Sequence, residues 1–237
     1  MFKLHILSLI LYGAGIFKRP FLYAGLAVQS AYLLSRGLEL HRLPLVGAHD
    51  TLAFIAASAA AFAIPFGINL NWNSKYQKGA ALLAAAFTLF SMFSKQHNIP
   101  LPPVLKTLWF ELHVVTAFLS YALFGIAAVL GTIYLIEKVE KNEALQYKAI
   151  LIGYCLFSAS MIFGGVWAYL AWGTYWLWTP KELWTSILWL FYSLYLHARL
   201  RPWWAGKPSA ILGIVGFGVV MFTYLGVSLL MKSSHSF

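Results

Sequence analysis

The chain has 237 residues, of which 61% are hydrophobic and only 10% charged, and its mean hydropathy is +0.73; this excludes a soluble globular domain and a disordered chain and leaves a polytopic membrane protein. The formal net charge of +10 does not indicate nucleic acid, because Lys and Arg are spread over short connections between apolar segments instead of being gathered on one face. A single cysteine, Cys155, excludes an internal disulfide and a Cys-pair redox or zinc centre, and its apolar surroundings predict a buried structural thiol.

A bilayer crossing takes roughly 20 helical residues, and on that measure the sequence predicts eight helices, near 4–17, 21–35, 52–70, 79–93, 108–136, 149–171, 183–200 and 208–231. The opening run lacks a small-residue cleavage site and meets Lys18-Arg19-Pro20 at once, which predicts a retained helix rather than a signal peptide. The longest connections, 36–51 and 94–107, hold Pro and polar residues but are too small for a core of their own. The predicted architecture is therefore all-α, a polytopic membrane helix bundle forming one domain over 1–237. Counted over alternating loops, Lys and Arg number ten on one side and seven on the other, and the excess marks the cytoplasmic side. The connection carrying Arg199, Arg201 and Lys207 is then cytoplasmic, and both termini, the 94–107 connection and the Trp-rich loop lie outside.

That loop, about 166–185, holds five of the ten Trp: Trp167, Trp172, Trp176, Trp178 and Trp184. An indole has a large apolar face and one N–H donor, so it sits where one side is apolar and the other wet. The cluster reads either as an interfacial belt or as a flat aromatic shelf for an apolar ligand. At its end, Thr179-Pro180-Lys181-Glu182 has the form of a capping box that starts a helix.

The histidines sharpen the choice. His113 falls at the outer start of the fifth helix and His235 just past the outer end of the eighth, so both flank the Trp-rich loop. Each is either a hydrogen-bonded structural residue or an axial ligand, since a bis-His heme needs only two imidazoles and an apolar surface for the ring. Zinc would ask for three or four ligands, and near the shelf the outer face adds only Glu111 and Glu182. Heme fits this residue set better. His197 lies toward the cytoplasmic end of the seventh helix, where an ionisable side chain is either functional or a snorkelling interfacial residue. If it ligates iron, the opposite ligand comes from elsewhere, because His5, His41, His49 and His97 map to the outer half. The last three of these are predicted to be loop residues.

These residues carry a resemblance. Trp172-Gly-Thr-Tyr-Trp176-Leu-Trp178-Thr-Pro-Lys-Glu182-Leu-Trp184, followed by Trp189-Leu-Phe-Tyr-Ser-Leu-Tyr-Leu-His197-Ala-Arg199, resembles the WWD loop and the following helix of the CcsA branch of the heme-handling cytochrome c assembly proteins. Leu112-His113-Val-Val-Thr-Ala-Phe-Leu-Ser120-Tyr121 is similar to the segment with that family's first outer histidine, and Ser234-His235-Ser236-Phe237 to the segment with its second. Residues 36–50 more loosely resemble its early Arg, His, Pro loop.

The resemblance implies export of heme b and its attachment to a Cys-x-x-Cys-His apocytochrome c, in a holocytochrome c synthase complex with a membrane subunit of the CcsB (ResB) kind. It implies His113 and His235 as axial ligands of an outer heme site on the Trp platform, and His197 as a transmembrane ligand whose opposite His belongs to the partner. A thiol-reducing pathway is the implied companion, because thiols attack only when reduced. The implied setting is a bacterial inner membrane with the Trp-rich loop facing the periplasm, rather than a thylakoid. The sequence departs from the family motif at Thr179, where Asp is expected after Trp178; a Thr keeps the cap and loses the charge. The alternative expectation is a HemX-like heme-binding accessory protein without lyase activity.

Overall fold

Every backbone polar group in a bilayer core must find its partner within the protein, and a chain of this composition meets that demand as helix. The computed structural model describes residues 2–230 apart from His97 and Ile99, with the backbone alone for Ser228 and Leu229. Among the described residues there is no strand. The helices are α1 (Phe2–Gly15), α2 (Arg19–Leu40), α3 (Ala48–Asn69), α4 (Ser74–Phe93), α5 (Leu108–Glu137), α6 (Glu140–Trp172), α7 (Pro180–Arg199) and α8 (Lys207–Met221). A π-helical turn, Phe222–Gly226, continues α8 into the short α9 (Val227–Leu230). The protein is an all-α membrane helix bundle. Helices α3, α5, α6 and α8 with its π turn are long and apolar enough to cross a membrane, with mean hydropathy of 1.9 to 2.1 in their most apolar stretches.

Several helices outrun their apolar stretches, α6 and α2 among them. α6 begins at Glu140 rather than near 149, and α2 runs to Leu40 rather than ending near 35. Hydropathy registers the lipid-compatible part of a helix and misses polar ends that are buried against protein. Asn142 and Glu143 in the first turns of α6, and Arg36 near the end of α2, are each 2% exposed.

The chain forms two compact units, residues 1–102 and 103–237. In the first, α1 packs on α2 and α4, and α3 on α2 and α4. Buried alanines of α3, among them Ala53, Ala56, Ala60 and Ala63, let neighbouring backbones approach closely. One end of this unit is polar and closed. Arg36 donates from Nε to Asp50 (3.2 Å), from Nη1 to Glu39 (3.2 Å) and from Nη2 to Asn98 (2.7 Å). Beside it, His49 Nδ1 donates to the Ser91 carbonyl (2.7 Å) and Tyr32 donates its hydroxyl to His49 Nε2 (2.6 Å). The Ser91 hydroxyl donates to the His49 carbonyl (2.6 Å) and accepts from His5 Nε2 (3.1 Å). His49 is therefore no loop residue. It sits in the first turn of α3, 2% exposed, because Tyr32 of α2, Ser91 of α4 and Gln96 just beyond α4 supply its hydrogen-bonding partners. His41 does end a helix, as the left-handed cap of α2, and His97 lies outside the described residues.

In the second unit α5 is the central helix, packed on α6 and α8, with α7 against α6 and α8. Phe124, Ile126, Ala127 and Leu130 of α5 are fully buried. Cys155, expected to be buried, is exposed on α6. The apolar run around it covers the outward side of a helix whose other side meets α5. In a membrane protein, apolarity marks a lipid-compatible face as readily as a core.

Candidate functional site

His113 follows the start of α5, where Thr107 caps the helix by accepting from the Phe110 amide (3.2 Å). Its Nδ1 lies 2.9 Å from the Ser160 carbonyl on α6. A carbonyl only accepts, so Nδ1 carries the proton and Nε2 the lone pair. Ser160 also donates its hydroxyl to the His113 carbonyl (2.9 Å), tying α5 and α6 in both directions. The ring lies this close because residue 164 is glycine: a Cβ there would stand 2.6 Å from His113 Nδ1 and 2.9 Å from Cε1. Trp167 completes the setting, nearly parallel to the imidazole at 15° with centroids 6.3 Å apart. Ser160, Gly164 and Trp167 follow the i, i+4, i+7 spacing of one helix face.

Trp167 is 5% exposed and donates Nε1–H to the Val104 carbonyl (2.8 Å). Phe110 lies 5.2 Å from it, and Trp172 meets it edge-on at 4.8 Å and 68°. α6 ends at Trp172 with Gly173 as its left-handed cap, so the irregular part of the Trp-rich segment is only 173–179.

A carboxylate fastens the end of this loop. The capping box is formed as the sequence predicts: Thr179 Oγ1 accepts from the Glu182 amide (3.4 Å), and Glu182 Oε2 accepts from the Thr179 amide (2.9 Å). The same Oε2 accepts from the Leu177 amide (2.9 Å), flanking Trp178, which is 69% exposed and left-handed at φ 56°. Although residue 179 is Thr, the loop end thus has a nearly buried negative charge, supplied from one turn inside α7.

The structure brings Trp167 to His113, and Trp172 to Trp167. Trp176 and Trp178 are in the loop itself, and Trp184 packs edge-on against Phe222 of the π turn at 4.5 Å. His235 lies outside the described residues. His197 is exposed near the end of α7, with Nδ1 donating to the Ser193 carbonyl (2.7 Å); its lone pair is likewise on Nε2. Among the described residues no group of three or more His, Cys, Asp or Glu could hold a metal ion alone. A heme iron asks the protein for axial donors alone, because the porphyrin supplies the other four. Sequence reasoning did not single out Ser160 and Gly164; their spacing ahead of Trp167 was the available signal.

The family model described as cytochrome C assembly protein matches residues 45–235. The chain belongs to the cytochrome c assembly protein family. Within it, the chain is 33% identical over 224 residues to the cytochrome c biogenesis protein CcsA of Chlamydomonas reinhardtii, covering 86% of this chain and 64% of that relative. It is 33% identical over 248 residues to CcsA of Mesostigma viride, covering 87% and 81%, and 29% over 280 residues to CcsA of a Synechococcus elongatus strain, covering 90% and 86%. The chain thus spans under two thirds of the Chlamydomonas protein's length. Membership gives it a role in cytochrome c biogenesis as an integral membrane protein. The matched segment takes in His113, the Trp-rich loop, His197 and His235, and leaves α1 and α2 outside.

Proposed function

We propose that the chain carries heme across the membrane and presents it on the outer face for attachment to apocytochrome c, as the CcsA-type subunit of a cytochrome c synthetase with a CcsB (ResB)-like membrane partner. The observation that supports this reading is the setting of His113: an imidazole pinned through Nδ1 to a backbone carbonyl, with its lone pair on Nε2, lying along a buried indole. Outer-shell partners of this kind fix the tautomer and ring orientation of metal-binding histidines. The Ser160 carbonyl is neutral, so it orients the imidazole without the extra basicity a carboxylate would lend. That suits a ligand set that must hold its cargo and later yield one position to the histidine of Cys-x-x-Cys-His.

In this reading His113 and His235 are the outer iron ligands, and Trp167, Trp172, Trp176, Trp178 and Trp184 are the platform for the ring. His197 is the transmembrane ligand, its opposite imidazole coming from the partner subunit. The cargo, heme b, supplies the vinyl groups to which the two cysteine thiols add. The chain ligates, orients and shields, and a thiol-reducing pathway keeps the cysteines reactive. The Trp-rich loop faces the periplasm, or its equivalent, of a bacterial cytoplasmic membrane.

The test is the absorption spectrum of the full chain coexpressed with its partner, for the wild type and for His113→Ala, His235→Ala and His197→Ala. A bis-imidazole low-spin heme spectrum weakened by each substitution supports the reading. No bound heme, or three unchanged spectra, overturns it. Thr179 in place of the motif Asp favours a second reading, a HemX-like heme-binding accessory; it gives the same spectra but no thioether-linked heme on a coexpressed apocytochrome.

A further inference from the structure

At the end of the second unit that carries His197, one carboxylate joins three helices. Glu143, in the first turn of α6 and 2% exposed, accepts from Arg199 Nε (2.5 Å) and Nη2 (2.7 Å) at the end of α7, and from the Ser209 hydroxyl (2.8 Å) in the first turn of α8. Both carboxylate oxygens meet the planar guanidinium fork, which fixes direction as well as distance. The helix ends agree with the charges: the starts of α6 and α8 favour an anion and the end of α7 a cation. The guanidinium also lies over the Tyr147 ring, one turn along α6, 5.6 Å from its centroid.

An α-helix turns about 100° per residue, so residues two apart project on nearly opposite sides. Tyr195 and Arg199 each stand two positions from His197. Tyr195 is fully buried and Arg199 is held by Glu143, so His197 is turned outward, onto the exposed face of Leu190 and Leu194, each 59% exposed. The hydrogen bond of the His197 ring is to its own helix, and its direction therefore follows α7. With side chains reaching roughly 5–6 Å from a helix axis, a 20° turn of α7 displaces Nε2 by about 2 Å. A ligand must be held within about 0.5 Å.

Given the role proposed above for His197, we infer that Glu143 is a positioning residue: through Arg199 and Ser209 it sets the rotation of α7 that aims His197 Nε2 at an iron lying between this chain and its membrane partner.

The test has two arms. In the first, the full chain carries Cys155→Ala and His197→Cys with a spin label at position 197, and needs no heme. Glu143→Gln is expected to broaden the range of label motion, Glu143→Asp to restore a single ordered population, and Arg199→Lys, which keeps the charge but breaks the fork, to loosen the label again. In the second arm, with the partner present, Glu143→Gln is expected to retain heme at the His197-dependent site roughly 10-fold more weakly, as outer-shell changes do. It shifts that site from low-spin to high-spin, recoverable with added imidazole, and leaves the His113-dependent component unchanged. If His197→Ala leaves the spectrum untouched, the ligand reading fails while the label arm still reports on Glu143. If His197→Ala abolishes the signal but Glu143→Gln moves neither readout, the positioning role is overturned. Should Glu143→Gln fail to fold, an ordered label in Arg199→Lys overturns it equally.

Discussion

Neighbouring glycines on α6 give opposite expectations for the same substitution. In a helix interior, Ala is favoured over Gly by about 1 kcal/mol. At Gly165 that gain is available, because an added Cβ meets nothing nearer than the Tyr175 carbonyl at 3.7 Å, an ordinary contact. At Gly164 the same Cβ would stand 2.6 Å from His113 Nδ1 and 3.3 Å from Cγ, so the ring must leave α6. Overpacking costs about 1–3 kcal/mol, and the lost hydrogen bond to Ser160 about 0.5–1.5 kcal/mol. Against the propensity gain, Gly164→Ala is destabilising by roughly 0.5–3.5 kcal/mol. Thermal unfolding in detergent resolves this, at about 2–4 °C per kcal/mol for a chain of this size: Gly165→Ala raises Tm and Gly164→Ala lowers it. The Gly164→Ala spectrum also loses the His113-dependent heme component. Two substitutions that raise Tm alike, or an unaltered Gly164→Ala spectrum, would refute the packing of His113 on α6 and the site built on it.

Glu182→Ala removes the acceptor for the Leu177 and Thr179 amides and is expected to loosen the loop end by about 2 kcal/mol, read as roughly 30-fold faster hydrogen exchange at those two amides; exchange at the wild-type rate contradicts the anchoring role. Asp50→Asn leaves Arg36 buried with one strong partner fewer and is expected to destabilise the chain by about 3 kcal/mol. The double variant Arg36→Met, Asp50→Leu is expected to recover most of that loss, and equal Tm values for single and double variants argue against an uncompensated charge. In native membranes Cys155 is expected to react with a membrane-soluble maleimide and resist a charged one. Resistance to both would return it to the core.

Composition and the spacing of apolar runs were enough to specify an all-α membrane bundle, because a bilayer crossing is a one-dimensional constraint on length and hydropathy. The start of α7 was equally legible: Thr179, Pro180 and Glu182 make their contacts within one turn. The Trp-rich segment and its flanking motifs carried the family resemblance in the same local way. Hydropathy, however, could not separate an exposed thiol from a buried one at Cys155. Nor could it follow α6 back to Glu140, since a polar turn becomes buried only against another helix. His49 read as a loop residue because its partners, Tyr32 and Ser91, come from other helices. Only the tertiary structure put Ser160 and Gly164 under His113 and Glu143 against Arg199. Those pairings join residues 47 and 56 positions apart, and the rotation of each helix about its own axis, which no linear pattern encodes, decides which of them meet.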